Sequence, residues 1–168
     1  MFRVLFVLWL TCLATHPAYA GAWLREKGKG FLAYSNLTAS TLDTTFSAYF
    51  DYGLSERATI GATLDFNTPL YGYPSGKLLL FMRRSLDWGG TDANWAYELA
   101  LGGHHTGLEL LPVAKTTLSY GRGITWGKRN GWLAIDAGIE WDLGHSKHMV
   151  KIDSTLGMEL GARSKGML

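Results

Sequence analysis

Thiol chemistry is almost missing from this 168-residue chain, whose only cysteine is Cys12. That residue falls in a leader expected to be removed, so disulfide staples, a catalytic cysteine and thiolate metal sites are all excluded from the remainder. Long apolar runs are missing too. Beyond the leader, nothing in the sequence approaches the ~20 apolar residues of a membrane-spanning helix. No charge of one sign dominates, since 16 Lys and Arg stand against 14 Asp and Glu for a formal net charge of +2. Neither nucleic-acid binding nor a polyanionic substrate follows from that balance. No Gly-x-Gly-x-x-Gly opens a helix and no glycine loop runs into Gly-Lys-Ser/Thr, so no phosphate-binding loop is expected. Helical stripes, low-complexity linkers and a positional cluster of metal ligands are likewise absent from the sequence, and no cofactor is expected.

The N-terminus reads as an export signal. Met1-Phe2-Arg3 places one positive charge before the apolar run Val4 to Leu10, which Thr11 to Ala14 extend. Ala18-Tyr19-Ala20 then fits the small-x-small pattern of a signal-peptidase site, with Gly21 as the new N-terminus. An apolar core of about ten residues is roughly half a spanning helix, which argues against a retained anchor. A lipoprotein would carry a small residue before Cys12, and Thr11 stands there instead. Residues 1–20 are therefore expected to be cleaved and 21–168 to form one domain. Losing Arg3 takes the charge to +1, since no acidic residue precedes Gly21.

What the chain has in abundance is glycine, at 21 residues, and rings, at seven Trp, eight Tyr and seven Phe. Membrane barrels use both: rings collect at the water interfaces and glycine relieves crowding in tilted strands. Alternation is the strongest signal. Leu42, Thr44, Phe46, Ala48, Phe50, Tyr52 and Leu54 oppose Asp43, Thr45, Ser47, Tyr49, Asp51 and Gly53. Ala58, Ile60, Ala62, Leu64 and Phe66 oppose Thr59, Gly61, Thr63, Asp65 and Asn67, and the short polar link between the two runs makes a hairpin. Later runs keep the rule, although 77–88 carries Arg84 on its apolar face, 113–120 mixes its faces and the first strand is ambiguous in sense. Eight strands are expected at 30–40, 42–54, 58–68, 77–88, 94–104, 112–122, 131–143 and 148–161. Breakers lie at 69–76, 89–94, 121–131 and 144–147. The expected fold is all-β: an antiparallel up-and-down transmembrane β-barrel of about eight strands.

A soluble lipocalin-like barrel alternates as well, with its apolar face inward. In a membrane barrel the sense is reversed and charges must meet partners inside. The carboxylates of Asp43, Asp51, Asp65, Glu98, Asp136, Glu140, Asp153 and Glu159 are balanced by Lys77, Arg83, Lys115, Arg122 and Lys151. Trp88, Trp95, Trp126, Trp132 and Trp141 sit at strand ends, where aromatic girdles form. Export places the mature N-terminus in the periplasm and the turns after strands one, three, five and seven outside.

The run Tyr52-Gly53-Leu54-Ser55-Glu56-Arg57, continuing Ala58-Thr59-Ile60-Gly61, resembles a hairpin recurrent in a family of proteobacterial outer-membrane proteins. These are related to the outer-membrane transporters of aromatic-degradation (meta-cleavage) operons. Gly21-Ala22-Trp23 with Lys27-Gly28-Lys29-Gly30, and Leu118-Ser119-Tyr120-Gly121-Arg122, are similar to that family as well. The resemblance implies a location in the outer membrane and passage of small hydrophobic or aromatic molecules. It also implies outer-membrane lipids and the barrel assembly machinery as partners, with a small hydrophobic ligand as a further candidate. The C-terminus departs from the pattern, ending Arg163-Ser164-Lys165-Gly166-Met167-Leu168 rather than in an aromatic strand. Two readings follow: a complete eight-strand barrel that side chains nearly fill, or a larger barrel missing its closing strands.

Chemistry is sparse. His104-His105 and His145/His148 lie near the expected exterior turns, where a metal or a lipid-modifying activity could draw on them. Solvated loop histidines are the preferred reading, and Ser146 beside His145 does not by adjacency make a nucleophile–base pair. The Asp136/Glu140/Asp142 stripe reads as interior charge matched by Lys and Arg. No catalytic, metal or cofactor residues are assigned, and a non-enzymatic outer-membrane barrel with a structural or transport role is expected. The alternatives are a soluble periplasmic lipocalin-like binding barrel and an outer-membrane lipid-modifying enzyme.

Overall fold

The computed structural model describes residues 21–88, 90–107, 109–127, 129–161 and 164–167. Within them the protein is all-β. Eight long strands follow one another: β1 (Gly30–Thr38), β2 (Thr44–Ser55), β3 (Ala58–Thr68), β4 (Ser75–Leu86), β5 (Ala93–Thr106), β6 (Glu109–Trp126), β7 (Arg129–Asp142) and β8 (Lys147–Gly161). A short β9 (Ser164–Met167) pairs with β8. Every strand pairs antiparallel with the next in sequence, giving one up-and-down sheet in the order β1 to β9. The only helical element among the described residues is a single 3-10 turn at Gly90–Asp92.

The sheet curls into a half-barrel. Lys77 on β4 reaches Glu140 on β7 with both carboxylate oxygens at 3.1 Å, although three strand spacings separate them, roughly 14 Å in a flat sheet. Among the described residues no ladder joins β1 to β8 or β9, so the sheet is open along both edges. The turns after β1, β3, β5 and β7 gather at one end, here the distal end. Those after β2, β4 and β6 gather at the proximal end with residues 21–29.

Register separates the two faces. One row reads Tyr52, Ile60, Met82, Leu99, Thr116, Ile139 and Val150 across β2 to β8 on the convex side. The parallel concave row reads Thr59, Arg83, Glu98, Thr117, Gly138 and Lys151. Convex side chains are exposed, among them Leu32, Tyr34, Phe50, Leu64, Leu80, Leu101 and Ile152, while Asp51, Thr59, Arg83, Glu98 and Ser119 are buried in the concavity.

Four details differ from the sequence expectation. Leu42 takes a left-handed backbone (φ 66°) inside the β1–β2 turn, which delays β2 to Thr44 and leaves Asp43 in the turn rather than on a strand face. Glycines at 121 and 123 do not break β6, which runs on to Trp126 before the turn at Gly127. Trp132 belongs to the concave face, aligned with Gly123 and Gly157 and packed where a side chain on Gly157 would stand, so it is not part of an outer girdle. Arg122 faces the convex side and its guanidinium lies 4.0 Å from Asp92, so it does not serve the interior carboxylates.

The concavity is also less polar than alternation implies. Leu79, Phe81, Ala100 and Val113 form a buried cluster with Tyr49 beside it, and the Tyr49 and Phe81 rings stack at 5.7 Å. This explains why 113–120 mixes its faces in sequence: Val113 points inward with Lys115, Thr117 and Ser119.

Candidate functional site

The concave face holds the interior chemistry, and neighbouring strands place it. Arg83 and Glu98 are direct register partners on β4 and β5. Arg83 Nε and Nη2 donate to Glu98 Oε2 at 3.2 and 2.6 Å, and Lys115 Nζ stands 3.8 Å from Oε1. Arg83 is 9% and Glu98 7% exposed, so each charge depends on the other for the solvation that water no longer supplies. Lys77 and Glu140 make the cross-cavity pair described above. Ser47 Oγ donates to Asp65 Oδ1 at 2.7 Å.

Residues 21–29 lie across the proximal half of the concavity. Arg25 pairs with Asp51 through Nε to Oδ1 at 2.7 Å and Nη2 to Oδ2 at 3.1 Å, and the Tyr49 hydroxyl donates to the same Oδ2 at 3.0 Å. The Arg25 backbone N–H donates to Thr59 Oγ1 at 3.0 Å, and its guanidinium sits 4.8 Å over the Phe31 ring. Gly28 N–H donates to the Gly53 carbonyl and Gly53 N–H to the Lys29 carbonyl, so the segment extends the sheet briefly beside β2. A Cβ at Gly53 would collide with the backbone carbonyls of Arg25 and Glu26. Glycine is required there by close approach of another backbone. Ala22 is buried and Trp23 packs against Gly121.

Clefts open on either side of this segment, among them one of about 500 Å³ at the proximal end that Ala22, Trp23 and Leu24 border with Trp88 and Trp95. Within the concavity a distal cleft of about 330 Å³ is lined by Ser35, Ser47, Tyr49, Asp65, Lys77 and Glu140, and a smaller one of about 180 Å³ by Gly21, Arg83, Glu98, Ser119, Asp136 and Lys151. Lys115 borders both.

The residues singled out in the sequence fall as follows. Ala18 and Ala20 lie outside the described residues, and Gly21 begins them, against Ser119 and Asp136. Tyr52 to Arg57 form the β2–β3 hairpin, with Tyr52 and Leu54 on the exposed convex side and Gly53 meeting the N-terminal segment. The Asp136/Glu140/Asp142 stripe shares one face but not one partner. Glu140 meets Lys77, Asp142 meets two histidines, and Asp136 Oδ1 is buried without a hydrogen bond among the described residues.

At the distal end the histidines divide. His104 and His145 converge on Asp142, at 3.2 Å from Nε2 and 2.9 Å from Nδ1 to Oδ2, whereas His105 and His148 stand apart from them on the convex side, in the rows of Leu110 and Trp141. Nearby, Asp43 Oδ1 accepts from the Leu70 N–H and Oδ2 from the Thr41 hydroxyl, both at 2.8 Å. These bonds, the backbone one foremost, hold its carboxyl below the usual carboxylate range.

On the convex side Trp88, Trp95 and Tyr120 make a chain of edge contacts at the proximal end, and Trp141 lies toward the distal one. No protein-family model, curated protein or solved structure matches the chain.

Proposed function

We propose that this protein is an outer-membrane β-barrel protein of a Gram-negative envelope, exported by residues 1–20 and cut before Gly21, with a structural or transport role. The observation that carries the reading is the inverted arrangement of its surface. Large apolar side chains are exposed on the convex face while the charged pairs Arg83–Glu98, Arg25–Asp51 and Lys77–Glu140 turn inward. A lipocalin-like barrel in water needs the opposite sense, because so broad an apolar patch would drive association. Lipid solvates that face, and the Trp88–Trp95–Tyr120 chain then sits at the proximal headgroup level.

Passage of small hydrophobic or aromatic molecules rests on the family resemblance of the 52–61 hairpin. Residues 21–29 and the Tyr49–Phe81 cluster occupy part of the concavity of this chain, which argues against a wide pore. In hydrocarbon the unpaired β1 edge would cost several kcal/mol per group, so that edge has to find a strand partner in the membrane. No catalytic role is assigned to any residue.

Nitroxide labels at positions 48 and 64, in protein reconstituted into bilayers, test the location. Collision with lipid-soluble quenchers at these positions, and not at 47 and 63, is expected. Labels at 48 and 64 that respond only to aqueous quenchers would place the protein in water instead. Planar-bilayer recordings test transport: this chain is expected to give no stable large conductance steps.

A further inference from the structure

We propose that His104, Asp142 and His145 form a binding site for a divalent d-block cation of the zinc type at the distal end of the sheet. The three residues come from three separate places. His104 lies near the end of β5, Asp142 is the last residue of β7, and His145 sits in the β7–β8 turn. That turn is pressed onto β6: Leu143 N–H donates to the Pro112 carbonyl at 3.0 Å, and Gly144 approaches the Leu111 side chain so closely that a Cβ would overlap it. Leu111 is the register partner of His104. The packing therefore delivers the turn to the one strand position where a histidine waits.

The carboxylate of Asp142 is divided between two tasks. Oδ1 accepts the backbone N–H groups of Gly144 and His145 at 3.0 and 2.9 Å, which fixes the turn. Oδ2 is left facing both imidazoles. His104 Nε2 is buried and makes no hydrogen bond, since its 3.2 Å contact with Oδ2 lies off hydrogen-bond geometry. Its nearest charged neighbour is the same Oδ2 that His145 Nδ1 meets at 2.9 Å, so one carboxylate oxygen stands between the two imidazoles. The imidazole rings are steeply inclined, 70° apart with centroids at 6.4 Å, so they meet edge-on and do not stack.

The three donor atoms lie within 4.8 Å of one another. A tetrahedral ion with bonds of about 2.0–2.1 Å sets its ligand atoms roughly 3.3 Å apart, so small side-chain movements complete the site. Two imidazoles and a carboxylate suit zinc and its neighbours rather than calcium or magnesium, which take oxygen ligands. The nearest cation in register, Lys77, is already neutralised by Glu140. His145 is exposed, which leaves the remaining coordination position open to water or a small ligand.

Cobalt(II) serves as the probe. The full mature chain, folded in detergent micelles and stripped with chelator, is titrated with Co²⁺ and followed by visible ligand-field absorption. One equivalent per chain is expected, displaced by Zn²⁺. His104→Ala and His145→Ala should each weaken binding at least tenfold, while His105→Ala and His148→Ala change it less than twofold. Asp142→Asn keeps an oxygen for the two turn N–H groups but removes the anionic ligand, so it should fold with an unchanged far-UV strand spectrum and lose binding. No saturable band, or equal binding by folded Asp142→Asn, would overturn the proposal. Neither outcome depends on whether the convex face lies in lipid.

Discussion

Leu79 and Leu80 are neighbours on β4 and chemically identical, yet one is 4% exposed and the other 61%. Leu79 points into the concavity beside Phe81 and Val113, and Leu80 stands on the convex face between Ala62 and Leu101. Hydrophobicity alone therefore does not distinguish the faces, because both carry apolar groups. Charge does. Among the described residues the Lys and Arg ion pairs with both members on long strands, Arg83–Glu98, Lys77–Glu140, Lys115–Glu98 and Lys151–Asp153, are all concave. The convex arginines Arg84 and Arg122 lie toward the proximal end, Arg84 opposite Ala58 and Tyr97 and Arg122 opposite Ala93, where long side chains can extend past the apolar rows.

The comparison breaks most severely at its buried charges. Arg83→Ala leaves Glu98 enclosed with only the more distant Lys115, and a loss of about 3–5 kcal/mol is expected in urea unfolding of the refolded protein. Next comes the apolar face. Leu64→Arg near the midplane should cost roughly 2–4 kcal/mol in bilayers, while Thr63→Arg, one residue along and facing the interior, should cost far less. In water the order would reverse, because Leu64 is already exposed and Thr63 is not.

A smaller effect is expected where the faces meet the N-terminal segment. Gly53→Val overlaps the Arg25 and Glu26 carbonyls and should destabilise by about 1–3 kcal/mol, with faster protease cleavage within residues 21–29. The smallest effect concerns the distal turns. Asp43 has a depressed carboxyl pKa in the folded protein, so its stabilising contribution is complete above the unfolded value of about 3.9. It is lost as pH falls through the lower folded value. Asp43→Asn should therefore flatten the acid limb of stability below about pH 4, with a slightly lower melting temperature at neutral pH and nearly unchanged melting below the folded pKa.

Strand identity was legible because alternation is local. All eight long strands fall where period-two patterning places them, within a few residues except for β6. What escaped was whatever depends on distant parts of the chain. Residues 21–29 have no alternation, and their partners Asp51, Thr59 and Gly121 are named by no nearby motif. Leu42 looked like the first residue of a strand because its apolar character fits the phase, while its backbone obeys the turn. The interior cluster around Phe81 leaves no mark in the alternation, because packing places apolar bulk among the interior charges. Of the distal site the histidines and Asp142 were visible separately, as loop residues and as an interior stripe. Only the turn pressed against β6 joins them.

The bed of the N-terminal segment has a consequence for the order of folding. Arg25 and Lys27 need only the β2–β3 hairpin, a local structure that closes quickly, but Gly21 rests against Ser119 and Asp136, which arrive about a hundred residues later. The segment can be tethered early at one end and seated late at the other. Until β6 and β7 have joined the sheet, its first residues have no surface to settle on. Seating of Gly21 is thus a late event that reports the growth of the sheet through β7, and amide protection at Ala22 should appear only after that of the β2–β3 hairpin is complete.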